Sequence, residues 1–309
     1  MATKDKTFVN FTAEQAEQYA TGRGYSYPPE LYQAILDYHE GPHDLLLDVG
    51  TGPGKVIFDM LPSFKHAVGC DTSIGMVEQA KKGAIARGIE AQTRFVQSSG
   101  EECYKAVADD ELGKVDVATI AMAAHWLDVA KFYEAAARVL RPGGTLAIWT
   151  CSSLYCHPST PNFEAVQAAM DHLENELLLP YHTAGNMLSR SGYADLAMPW
   201  DADMTLDSFD KPSFVRKVWD RDGVPSAPPN ADGSPGPFLT HRETKLTDIE
   251  RALRTSSSVV RFRDDHPEVA HTEDDPVILT MRKIQELLGG KESIVVTASI
   301  HLLLMRKMQ

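Results

Sequence analysis

The chain has 309 residues, 43% of them hydrophobic and 24% charged, and a formal net charge of −13. That length suffices for one large α/β domain with an insertion, or for two domains, with a sizeable buried core. Nucleic-acid binding depends on Lys and Arg neutralising phosphates; no basic run interrupts this acidic background, so neither nucleic acid nor an anionic membrane is expected as a partner.

The opening residues, MATKDKTFVNF, lack the apolar core of a signal peptide. Thr12 to Tyr19 reads as a short helix with Thr12 as N-cap and Glu14 and Glu17 near its positive end. The Gly/Pro-rich stretch from Tyr19 to Pro29, with Arg23, Tyr25 and Tyr27, cannot continue it. Either it forms an aromatic lid over a site, or its tyrosines pack the next helix, Glu30 to His39, onto the core.

Leu45 to Lys55 reads LLLDVGTGPGK. Apolar residues run into Asp48, and Gly50, Gly52 and Gly54 follow, so a buried strand ends in a turn where a ligand can lie against bare backbone. A dinucleotide fingerprint would need a small residue where Lys55 stands, and Pro53 removes a donor from the turn. A phosphate loop would need Ser or Thr where Val56 stands. Both readings fail. A second strand, Ala67 to Cys70, ends in Asp71, an ionisable acceptor suited to two hydroxyl donors.

A helix, Val56 to Leu61, follows the turn. Another begins after Ser73 as N-cap and turns Ile74, Met76, Val77 and Ala80 toward a sheet. The third strand, Arg94 to Val96, leads to Ser98-Ser99-Gly-Glu101-Glu102, where a serine is either a ligand contact or a helix cap. The fourth strand, Val115 to Ile120, precedes Ala121, His125 and Trp126. A helix from Val129 to Leu140 stops at Pro142-Gly143-Gly144, and a fifth strand runs from Thr145 to Thr150. Strands alternating with amphipathic helices predict a doubly wound, mostly parallel sheet, so Asp48, Asp71, Ser98 and His125 should converge beyond its strand ends.

Beyond, Phe163 to Leu177 reads as a helix, Lys211 to Trp219 as a short helix, Pro225 to Pro237 as a mobile loop, Thr240 to Leu246 as a strand, and Asp248 to Thr255 and Asp275 to Leu288 as helices. Ser293 to Leu304 fits a final antiparallel strand. The expected division is a helical lid segment at 1–40, an α/β core at 41–155, a helical insertion with a loop at 156–237, and completing strands and helices at 238–309. Cys70, Cys103, Cys151 and Cys156 show no paired spacing and read as reduced thiols of a cytoplasmic protein. No metal-ligand spacing is present, and no apolar run reaches the ~20 residues of a membrane span.

The Asp-x-Gly-x-Gly-x-Gly turn resembles that of class I S-adenosylmethionine-dependent methyltransferases. With A-x-H-W at His125-Trp126 and R-x-L-R-P-G-G after it, the chain resembles the branch containing trans-aconitate methyltransferase and the fungal cantharidin-resistance methyltransferase. Tyr19, Arg23, Tyr27-Pro28, Pro199-Trp200, Phe209 to Asp220 and Leu253-Arg254-Thr255 extend that likeness. Met122, Ser256 and Gly24 depart from it in expected pocket walls.

The resemblance implies a seven-stranded Rossmann-like sheet with a helical lid and S-adenosyl-L-methionine as cofactor. Asp48, Gly50, Thr51, Gly52 and Gly54 would lie at the methionine end and Asp71, Thr72 and Met76 at the ribose. Ser98 and Ser99 would lie at the adenine, with Ala121, Tyr19 and Arg23 completing the cofactor site. The acceptor would meet His125, Trp126, Tyr25, Trp149, Trp200, Arg216 and Arg254.

The branch further implies methyl-ester formation on a small carboxylic acid; a monomer or a homodimer is expected. An ionised carboxylate needs orienting donors rather than a base. A hydroxyl, nitrogen or carbon acceptor, as in a natural-product tailoring enzyme, would instead call on His125 as base. His125 could also be purely structural, and a protein of this fold could bind the cofactor without transferring its methyl, as a regulator or a cyclisation catalyst.

Overall fold

A computed structural model describes Glu17 and residues 26–201, 207–240 and 243–309. Tyr19, Arg23, Tyr25 and the helix expected at Thr12 to Tyr19 lie outside the described residues, apart from Glu17, which is helical and exposed.

Helix α1 (Pro29–Tyr38) begins on a proline, where the missing N–H costs nothing, and buries Leu31, Tyr32, Ala34 and Ile35. Then come β1 (Leu45–Val49), α2 (Lys55–Met60), β2 (His66–Asp71), α3 (Ile74–Arg87), β3 (Thr93–Gln97), β4 (Val115–Ala121), α4 (Val129–Val139) and β5 (Leu140–Cys156). The second half holds α5 (Phe163–His172), which continues as a widened turn through Leu173–Leu177, then α6 (Ala184–Arg190), β6 (Phe209–Trp219), β7 (Glu243–Lys245), α7 (Leu246–Leu253), α8 (Ser257–Asp265), α9 (Pro276–Leu287) and β8 (Ser293–Lys307).

Seven strands follow the order β3-β2-β1-β4-β5-β8-β6. The first five are parallel, while β8 runs antiparallel between β5 and β6. This is the doubly wound, mostly parallel, Rossmann-like sheet that the sequence led us to expect. An eighth short strand, β7, pairs with the start of β8. Val49 stands beside both Cys70 and Ile120, so β1, β2 and β4 end nearly level. Strand order reverses between β1 and β4, and ligands of such sheets bind in the crevice at that reversal.

Strand β1 is buried throughout because both faces of the sheet are covered. Leu45, Leu47 and Val49 join one core with Phe132, Tyr133 and Ile148. Leu46 joins the opposite core with Ile35, Ile57, Trp149 and Leu302. A third cluster unites α5, α7, α9 and the start of β8 through Val166, Met170, Ile249, Met281, Ile284 and Ile294.

Several boundaries differ from the sequence reading. Lys211 to Trp219 is part of β6, not a helix: the segment pairs with β8 from Val215 to Trp219 across a bulge that accommodates Pro212. Strand β5 starts at Leu140 rather than Thr145, because Arg141 to Gly144 form an irregularity between the pairs Val115–Leu140 and Val117–Thr145, and it runs on to Cys156. Ile74 faces solvent at 52% exposure, whereas Met76, Val77, Ala80 and Ala84 face the sheet. Of the strand expected at Thr240 to Leu246, the described residues show Glu243–Lys245, and α7 begins immediately after it. Helices α6 and α8 were not anticipated.

Candidate active site

The turn after β1 is built from residues that tolerate positive φ: Gly50 (66°), Gly52 (52°) and Gly54 (88°). Thr51 is buried, and its N–H donates to Cys70 O at 2.9 Å, tying the turn to β2. Gly54 lets α2 approach α3, since a Cβ there would lie 2.8 Å from the Phe58 ring and 3.3 Å from Ala80. Gly52 differs from both. A Cβ on it would meet nothing within 4 Å and would enter a cavity of about 270 Å³ that Gly52 itself lines.

Asp71 ends β2 on the same wall. Its Oδ2 accepts the Gly52 N–H and its Oδ1 the Ser73 N–H, both at 2.9 Å. Each oxygen keeps a lone pair for a further donor. Burial pushes this carboxyl up, while the N–H groups of Ser73, Gly52 and Thr72 pull it back. Behind the turn, Asp48 is 1% exposed and accepts from the Thr119 hydroxyl at 2.7 Å. Its carboxyl is raised from 3.8 to about 7, chiefly by burial.

Thr72, Met76, Ser98 and Ala121 also line the cavity, as do Gly50, Glu101 and Leu127. Ser98 Oγ donates to Glu102 O at 3.0 Å, and Ser99, which caps nothing, is not on the wall. The serine–glutamate capping box that the sequence allowed is therefore absent. Glycines that leave room for a ligand, a carboxylate able to take two hydroxyls and a mixed polar and apolar far wall together fit a nucleoside carrying an amino-acid chain.

The other half of the cavity lies beyond β4. Met122, left-handed at φ 54°, turns the chain into a short 3-10 segment, Ala124–Trp126, that presents His125 and Trp126. His125 Nδ1 lies 2.7 Å from the Tyr193 hydroxyl. Gly185 lets α6 close over this segment, since a Cβ would sit 2.7 Å from His125 O and 3.0 Å from the Trp126 ring.

Glu174, His182, Asn186, Arg190 and Ser256 to Ser258 complete the wall. Arg190 Nη1 and Glu174 Oε1 are 2.6 Å apart. Burial nevertheless holds Glu174 above its usual carboxylate value, against the opposing pull of Arg190. His182 is lowered to about 4 by burial and by the charges of Arg190 and Arg261. It is a neutral ring at pH 7.

Four residues expected at the acceptor lie elsewhere. Trp149 is fully buried in the core, edge-on to Tyr27 at 5.4 Å and Tyr32 at 6.5 Å. Trp200 packs on Phe214 at 5.3 Å. Arg216 spends its guanidinium on Gly192 O and Tyr193 O, both at 2.9 Å. Arg254 pairs with Glu250 one turn back on α7 and remains 45% exposed. Arg190, Glu174 and His182 line that half of the cavity instead. No local motif marks them; only the turning of α5 and α6 over the sheet end does.

A methyltransferase-domain family profile matches residues 47–148, the segment from β1 to β5 that carries the glycine turn, Asp71 and His125. Residues 47–148 carry a methyltransferase domain on a class I, Rossmann-like sheet. The chain is 31% identical over 138 residues to a probable S-adenosylmethionine-dependent methyltransferase, CRG1, of Saccharomyces cerevisiae, covering 45% of each chain. It is 29% identical over 145 residues to the tRNA 5-carboxymethoxyuridine methyltransferase of Escherichia coli, covering 45% of this chain and 54% of that protein. The chain therefore spans about half the length of these curated relatives.

A putative type II methyltransferase of Anaeromyxobacter dehalogenans, 18% identical, superposes with a TM-score of 0.60 over 92% of this chain and 97% of that one, which shows a shared fold. Among the described residues, no helix is long and apolar enough to cross a membrane, and no cluster of His, Cys, Asp and Glu could hold a metal ion.

Proposed function

We propose that the chain transfers the methyl group of S-adenosyl-L-methionine to a carboxylate of a small organic acid, giving a methyl ester. Bound in the first half of the cavity, the cofactor would supply an electrophilic methyl on a sulfonium. Asp71 would hold its ribose hydroxyls, the Gly50–Gly54 turn its amino-acid chain, and Ser98 and Glu101 would border the adenine. The acceptor would occupy the half contributed by residues 156–237 and 256–258.

The observation that carries the carboxylate reading is the Arg190 guanidinium, which lines the same cavity as His125 and is held by Glu174 Oε1 on Nη1 and Asn175 Oδ1 on Nη2. A carboxylic acid with pKa near 4 reaches such a site already ionised, so the residues need only orient it and exclude water. A guanidinium suits that task because it can grip a carboxylate through two parallel N–H groups, which the acceptor would take over from Glu174 and Asn175. The E. coli relative is named for a nucleoside that itself carries a carboxyl group. The net charge of −13 weighs against a polyanionic RNA acceptor here.

Mass spectrometry of reactions with carboxylic acids and phenols tests the reading. Methyl esters formed together with S-adenosylhomocysteine are expected. Products methylated only on phenol, nitrogen or carbon would favour a tailoring enzyme with His125 as base. Cofactor binding without any methylated product would favour a protein that holds the cofactor for another purpose.

A further inference from the structure

We propose that Tyr193, held in place by Arg216, is a positioning residue that fixes the His125 ring with its proton on Nε2, as a donor toward the acceptor. The inference rests on reading this half of the cavity as the acceptor site.

Tyr193 is fully buried, yet it lies outside β-strand and helix in a left-handed conformation, φ 60°, directly after Gly192 at φ 63°. A bulky residue keeps such a conformation only where its surroundings enforce it. They do so from two sides. Arg216, reaching across from β6, donates Nη1 to Gly192 O and Nη2 to Tyr193 O, both at 2.9 Å. The His301 ring of β8 fills the space where a Cβ on Gly192 would stand, 2.4 Å from that position. The turn so held places the Tyr193 hydroxyl 2.7 Å from His125 Nδ1.

The direction of that hydrogen bond follows from the phenol's own proton. The Thr150 hydroxyl is engaged with Ser189 Oγ at 2.6 Å, and among the described residues the geometry gives the Tyr193 hydroxyl no hydrogen-bonding acceptor besides His125 Nδ1. Burial pushes the Tyr193 phenol up, so it keeps its proton. Nδ1 of a neutral imidazole is the neighbour best able to receive that proton's hydrogen bond. With Nδ1 serving as acceptor, the ring proton sits on Nε2. Arg216, which the sequence placed in contact with substrate, thus acts on the acceptor site through a backbone turn and a phenol.

The test is a two-bond proton–nitrogen NMR spectrum of the full chain labelled with 15N-histidine, recorded with and without S-adenosylhomocysteine. Because the chain has 11 histidines, His125 is assigned by its loss in His125→Asn. The wild type should show His125 unprotonated at Nδ1 and protonated at Nε2. Tyr193→Phe keeps the ring but removes the donor, and should move the proton to Nδ1 or give a mixture. Arg216→Gln with native circular dichroism should move it in the same direction, while Thr150→Val should leave it in place. A wild-type proton on Nδ1, or a Tyr193→Phe spectrum identical to wild type, would overturn the assignment, as would a flip in Thr150→Val. An unchanged pattern in Arg216→Gln would remove Arg216 from it. These spectra require no acceptor, so failure to find a methylated acid would refute the substrate reading without bearing on the tautomer.

Discussion

Asp71 and Gly52 are joined across two strand ends: Asp71 Oδ2 accepts the Gly52 N–H at 2.9 Å, which sets the glycine turn against the tip of β2. One carboxylate thus shapes the turn and faces the cavity. Removing it should loosen the turn and delete the acceptor for two ribose hydroxyls. At ~1.5–3 kcal/mol for each hydrogen bond to a charged group, Asp71→Ala should weaken binding of S-adenosylhomocysteine by on the order of 100-fold or more. Calorimetric titration measures it, and a change below about three-fold would remove Asp71 from the site.

Gly52→Val combines two effects. Its φ of 52° suits glycine, and a left-handed β-branched residue costs roughly 1–2 kcal/mol. Its side chain would also project into the cavity, where no atom within 4 Å opposes a Cβ. We expect a modest fall in Tm and complete loss of cofactor binding. Thermal unfolding beside the same titration separates the two effects, and a variant that binds normally would show that nothing lies against this turn.

Asp48 should make stability fall as pH rises. Its carboxyl ionises near 3.8 when exposed and about 7 in the folded chain. Between those values the folded protein holds a proton that the unfolded chain has released. The stabilisation is therefore full below the lower value and is lost as pH rises through the higher one, at about 1.4 kcal/mol per pH unit. Asp48→Asn should remove this slope. Urea unfolding of both proteins at about pH 5 and about pH 8 tests it, and parallel pH profiles would contradict it.

The two arginines expected from the sequence and found away from the cavity should behave unlike Arg190. Arg254 is half exposed and paired within α7, so Arg254→Ala should change stability by no more than ~0.5 kcal/mol and leave turnover unaltered. Arg190→Gln should raise KM for a carboxylic acid by roughly 10–100-fold while cofactor affinity stays the same. Equal effects of the two substitutions would place the acceptor somewhere other than this wall.

His125→Ala should lower turnover by roughly 10–100-fold, and the loss should persist as pH rises, because an orienting donor is not replaced by hydroxide. Recovery at high pH would instead mark His125 as a base and a proton-bearing nucleophile as the acceptor.

The side of the cavity built by the glycine turn was legible because each of its features is local. The turn has positive φ at alternate positions, Asp71 closes an apolar strand, and Ser73 caps α3 by accepting the Met76 N–H at 3.4 Å. The opposite side was not legible in this way. Glu174 lies in the widened turn after α5, His182 in extended backbone before α6, Arg190 at the end of α6 and Ser256 to Ser258 in a segment more than sixty residues later, so only packing brings them together.

Strand β6 was misread because it lies at the sheet edge, where Phe214, Val215, Val218 and Trp219 are all half-buried and the alternation that marks a strand is blurred. Pro212 in its bulge further disguised it. Arg216 illustrates the same limit. Its charge suggested a ligand, but the two carbonyls that occupy it belong to a turn 23 and 24 residues away.

Calorimetric titration of S-adenosylhomocysteine into the purified wild type and into Asp71→Ala bears most directly on what this cavity holds. Saturable one-site binding by the wild type, abolished or weakened by on the order of 100-fold in the variant, is the predicted result. No heat of binding with the folded wild type, or identical isotherms for the two proteins, would contradict the assignment of the glycine turn and Asp71 to a sulfonium nucleoside.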